Sequence, residues 1–62
     1  MLMTAKEMIS LLEKNGFVQL RSNGSHMFFE NPITKKTVTV PYHAKDLKKG
    51  TEQKILKDAG LK

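Results

Sequence analysis

The sequence predicts a small α+β domain in which a helix, three antiparallel strands and a second helix close one two-layer core. Three observations carry this expectation. Apolar residues recur at helical spacing near both ends, the middle changes to extended patterning punctuated by turn signals, and 62 residues leave room for one core.

Thr4-Ala5-Lys6-Glu7 has the form of a capping box, a hydroxyl at the N-cap with a carboxylate three residues on. Ala5, Met8, Ile9 and Leu12 then follow on one face, so the helix is amphipathic. Asn15-Gly16 supplies a left-handed stop, and Phe17 is placed to fold back on the last turn. From Phe17 to Ser22 the pattern is extended, and Asn23-Gly24 signals a hairpin because both residues tolerate positive φ. A second strand is expected from Ser25 to about Asn31, where Pro32 interrupts the ladder. Thr37 to Val40 alternates hydroxyl and β-branched aliphatic residues, the pattern of a half-buried strand, and ends at Pro41.

Tyr42 to Gly50 is a polar, lysine-rich connection anchored by Leu47. Gly50-Thr51 reads as the start of the second helix, with Glu52 in its first turn, Ile55, Leu56 and Ala59 on one face, and Gly60 as its stop. Two hairpins and two helices close a core when both helices lie on one face of the sheet. Residues 1–62 are therefore expected to form one domain without repeat or linker. In the preferred register Met27 and Phe29 face the helices. His26, Phe28 and Glu30 then face the other way, which keeps a histidine and a glutamate out of a small core.

Composition narrows the chemistry. The absence of cysteine excludes disulfide scaffolds, thiolate zinc sites and cysteine nucleophiles. No apolar run approaches the roughly 20 residues of a membrane span, so a soluble cytoplasmic protein without membrane association is expected. Either Met1 or Met3 could begin translation. A domain of this length buries only about 60% of the surface its unfolded chain exposes, so a partner can contribute to its stability.

Eleven Lys and Arg stand against six Asp and Glu, a net charge of +5, and that excess is one-sided. Acidic and basic residues cancel through residue 34, whereas eight lysines face Asp46, Glu52 and Asp58 in residues 35–62. Such a surface suits a polyanion or an acidic protein, although lysines also simply keep small domains soluble.

Few residues can carry a reaction. His26 follows Gly24-Ser25 at the mouth of the expected hairpin, and the residues alone leave it either a general base beside a phosphate or a plain surface histidine. His26, His43, Glu30 and Asp46 lack recognisable metal-ligand spacing, so neither metal nor cofactor is expected. Ser25 and His26 are adjacent on a strand and point to opposite faces, which makes Ser25 a turn-shaping residue rather than a nucleophile. Gly24 precedes a strand rather than a helix, so it reads as a hairpin glycine. Lys35, Lys36, Lys45, Lys48, Lys49, Lys54 and Lys57 are candidates for phosphate contact, with Lys48-Lys49-Gly50 just ahead of a helix N-terminus. Phe28 and Tyr42 are the aromatics expected outside the core, where a ring can stack an unpaired base.

Taken together, Gly16-Phe17, Arg21, Gly24-Ser25-His26, the run Thr37-Val38-Thr39-Val40-Pro41 with His43 two residues later, and Gly50-Thr51 through Ile55-Leu56 to Ala59-Gly60-Leu61 resemble the HicA toxins of toxin-antitoxin systems. The resemblance spans essentially the whole chain. It implies a fold similar to double-stranded RNA-binding domains, α-β-β-β-α. It also implies an mRNA interferase, a ribonuclease that cuts transcripts and arrests growth until a HicB-like antitoxin neutralises it. The family's catalytic histidine maps onto His26, and His43 matches a second recurrent histidine.

The expected reaction is metal-independent cleavage of RNA with His26 as general base. Gly24 and Ser25 shape the motif, while Lys35, Lys36, Lys45, Lys48, Lys49, Arg21 and Phe28 bind RNA. Arg21 is the only arginine, so phosphate binding falls mainly to lysines, which act as point charges without a bidentate fork. The expected protein is a monomer alone and a hetero-oligomer with its antitoxin. Two alternatives share the fold and the charge: a module that binds RNA without cutting it, and a basic face that serves only the antitoxin.

Overall fold

Local chemistry starts the first helix as the capping box requires. In a computed structural model describing residues 3–42 and 47–62, the Thr4 hydroxyl accepts from the Glu7 N–H at 3.1 Å and the Glu7 carboxylate accepts from the Thr4 N–H at 2.9 Å. Helix α1 runs over Ala5–Lys14 and buries Ala5, Met8 and Leu12. Gly16 ends it at φ 91°, and the Phe17 N–H returns to the Leu12 carbonyl at 3.0 Å, which seats the Phe17 ring in the core.

Three strands follow, β1 (Val18–Asn23), β2 (His26–Glu30) and β3 (Thr37–Pro41), and then α2 (Lys49–Asp58). The sheet is antiparallel with β2 in the middle. Asn23 pairs with His26, so the hairpin turn is centred on Gly24-Ser25, one residue beyond the expected Asn23-Gly24. Gly24 has φ 61°, and among the described residues Lys35 alone is a non-glycine with positive φ. This is the pattern of a II′ turn, which takes glycine at its first central position. A bulge between Gln19 and Arg21 sets Leu20 and Arg21 together opposite Phe28.

The register has the expected sense. Phe29 pairs with Val38 and Met27 with Val40, and these four side chains make the sheet's contribution to the core. Both helices cover that face, with Met8 and Leu12 from α1 and Ile55 from α2. His26, Phe28 and Glu30 lie on the opposite face, opposite Pro41, Thr39 and Thr37.

Buried Asn31 organises the β2–β3 connection. Its Oδ1 accepts from the Ile33 and Thr34 N–H groups at 2.9 and 3.2 Å, and its Nδ2 donates to the Asn15 carbonyl at 3.1 Å. One amide side chain thus shapes the loop and fastens it to the end of α1.

Helix α2 begins one residue earlier than expected. Its N-cap is Lys48, which makes no side-chain capping bond, so the anticipated Gly50-Thr51 start lies inside the first turn. Glu52 does more than favour the helix N-terminus. It is 7% exposed, and its Oε2 accepts from the Met3 N–H at 2.7 Å while the Met3 carbonyl accepts from the Leu47 N–H at 2.8 Å. The segment ahead of α1 is thereby stitched to the start of α2. No helix among the described residues is long and apolar enough to cross a membrane.

Candidate active site

The pairing of Asn23 with His26 makes the histidine the first residue of β2, directly after the Gly24-Ser25 turn. Its partner on the other side is Pro41, the last residue of β3, and the Ser25 carbonyl accepts from the Tyr42 N–H just beyond. His26 therefore stands exposed at one end of the sheet, held by the turn and by the end of β3.

A groove of about 340 Å³ opens beside it. One wall is His26 with Thr37, Thr39 and Pro41, and the other is the α2 face formed by Thr51, Lys54 and Asp58; Val38 and Ile55 also line it. Thr51 lies three residues before Lys54 and Asp58 four after, so helical spacing puts all three on one side of α2. Lys36 at the other end of β3 fixes the direction of the helix. A Cβ on Gly60, just past α2, would lie 2.9 Å from the Lys36 Cε, so α2 ends where β3 begins. Its first turn, with Lys48 and Lys49, accordingly lies at the His26 end.

The expected RNA-binding residues are thus divided. Lys48 and Lys49 share an end of the molecule with His26, whereas Lys35 and Lys36 belong to the β2–β3 connection at the opposite end of the sheet. Lys45 and His43 lie outside the described residues. Arg21 and Phe28 form a separate pair on the open face, with the guanidinium 5.0 Å from the ring centroid. They line a second hollow of about 290 Å³ with Leu20 and Thr39. Phe28 is half-buried, and the face of its ring carries the Arg21 cation.

Gly24 and Ser25 occupy the turn itself. A Cβ on Gly24 would meet nothing within 4 Å, so its positive φ, not crowding, asks for glycine. Among the described residues no three His, Asp or Glu side chains gather as a metal-ligand group. Lys54 was one of seven lysine candidates for phosphate contact and Thr51 only part of the expected helix start; the sequence pattern put neither beside His26. Their helical spacing from Ile55 was visible, but the side of β3 on which α2 lies was not.

A helix, a three-stranded antiparallel sheet and a second helix on the same face, with a histidine exposed at a hairpin mouth, define a small α+β protein of the double-stranded RNA-binding-domain type. The model for the HicA toxin of bacterial toxin-antitoxin systems matches residues 5–61, and the chain belongs to that family. It is thus a toxin whose counterpart is an antitoxin. No curated protein matches the sequence.

Proposed function

We propose that this toxin is an endoribonuclease in which His26 is the general base. The observation that supports the reading is an exposed histidine lining one groove with a lysine and three threonines. The imidazole takes the proton of a ribose 2′-OH as its oxygen attacks the adjacent phosphorus. The new 2′-O–P bond forms, the P–O5′ bond breaks, and the departing 5′-oxygen takes up a proton. The products are a 2′,3′-cyclic phosphate and a 5′-hydroxyl. Attack by the 2′-OH restricts the substrate to RNA, and the chemistry itself calls for no metal. One positioned acid–base group contributes about 10² to 10⁴ in rate, so the enzyme is a modest one.

Lys48 and Lys49 bind substrate phosphates at the His26 end, and Lys35 and Lys36 hold a more distant stretch of the same RNA. The Arg21–Phe28 pair offers a cation on an aromatic platform for an unpaired base. A HicB-like antitoxin silences the toxin by covering His26 and the lysines, and complementary charge makes that association salt-dependent. The site of action is the cytoplasm, where transcripts are available.

A long transcript incubated with wild-type protein in EDTA, and in parallel with His26→Ala, tests the reading. Wild type is expected to leave 5′-hydroxyl ends and the variant to lose activity by about 10² to 10⁴. A folded His26→Ala protein cutting at the wild-type rate overturns the assignment. Binding without cleavage by wild type makes the protein a non-catalytic RNA module.

A further inference from the structure

His26 is not alone in its groove, and the charged groups there are arranged with a direction. Thr51, Lys54 and Asp58 succeed one another along α2, which runs antiparallel to β3 from the His26 end toward Thr37. Helix rise puts Lys54 about 4.5 Å along the axis from Thr51 and Asp58 about 6 Å further. An anion entering the groove therefore meets a cation within a turn of the His26 end and a carboxylate beyond it. Lys57 is exposed on the same helix but does not line the groove.

We infer that Lys54 is the residue that seats the backbone phosphate of the RNA strand in the His26 groove, an inference that rests on the reading of His26 as the general base. Lys54 and His26 come from different elements and face the same space, so a phosphate on the ammonium lies within the groove that the imidazole serves. Asp58 disfavours a phosphate beside it, so the phosphate inside the groove is anchored at Lys54 and the strand regains a cation only beyond the groove, at Lys36. Lysines 48 and 49 sit ahead of the groove on the first turn and attract RNA generally; Lys54 positions it.

The test separates seating from chemistry. Binding of an unstructured, fluorescein-labelled oligoribonucleotide is measured by anisotropy with the His26→Ala protein, alone and combined with Lys54→Gln, Lys54→Arg or Lys57→Gln, over a salt series. Lys54→Gln is expected to weaken binding severalfold and to lower the slope of log affinity against log salt by about 0.7, the value for one phosphate on a single strand. Lys54→Arg restores both. In the His26-intact background Lys54→Gln raises KM more than it lowers kcat.

Equal affinity and slope for Lys54→Gln and Lys57→Gln overturn the inference while leaving His26 untouched. Cleavage by His26→Ala overturns the reading of the histidine while the binding series still judges Lys54. Absence of salt-dependent binding by the His26→Ala protein overturns the seating of a phosphate on Lys54, and the cleavage assay alone judges the histidine.

Discussion

Replacing Glu52 by alanine removes the carboxylate that joins the two ends of the fold. Glu52 is buried, and its Oε2 accepts the Met3 N–H at 2.7 Å. A hydrogen bond to a charged group contributes roughly 1.5–3 kcal/mol. The bond itself is only part-buried because Met3 is half-exposed, which argues for the lower half of that range, and loss of a first-turn acid from the helix N-terminus adds about 0.5 kcal/mol. Alanine's better helix propensity returns a few tenths. The expected destabilisation is therefore about 2 kcal/mol, against a total stability on the order of 3–9 kcal/mol for a domain of this length. That corresponds to a fall of about 10 °C or somewhat more in Tm. Thermal and urea unfolding followed by circular dichroism measure it. Glu52→Gln keeps the shape and one acceptor oxygen, so it should lose about half as much. A loss below about 0.5 kcal/mol for Glu52→Ala, the range of an ordinary surface change, refutes the assignment of the carboxylate as the clasp.

Phe29 is fully buried at the centre of the core, and Phe29→Ala should cost about 3–5 kcal/mol, enough to leave much of the protein unfolded by circular dichroism at 25 °C. Asn31→Ala removes one donor and two acceptor contacts that tie the loop to α1, so urea unfolding should show a loss of about 2–3 kcal/mol. Gly60→Ala meets a positive φ of 76° and the Lys36 stem, which can swing aside; the backbone strain of about 1 kcal/mol should appear as a lower urea midpoint.

The elements most legible in the sequence are those whose determinants are neighbours. Thr4 with Glu7 and Gly16 with Phe17 act across three residues or fewer, so local rules place both ends of α1. The facing of Met27 and Phe29 was also readable, because the other register buries His26. The hairpin turn differs by one residue because Asn23-Gly24 and Gly24-Ser25 are both good turn pairs, and the β1–β2 ladder decides between them. Glu52 was readable as a first-turn acid, but its partner lies 49 residues away and no local pattern joins them. The same limit applies to Lys54. Its place opposite His26 depends on α2 running antiparallel along β3, a tertiary choice that leaves no mark on the helix's own periodicity.

Strand β1 is exposed along its whole length and is bulged at Leu20, while β2 and β3 carry the core side chains. Its six residues therefore gain little from packing, and its amides should exchange with solvent sooner than those of β2 and β3. His26 need not share that looseness. The β2–β3 ladder and the Tyr42 to Ser25 hydrogen bond hold it from the other side, so opening of the outer strand leaves the imidazole where it is. The hairpin thus has one restless arm and one steady arm, and the histidine belongs to the steady one.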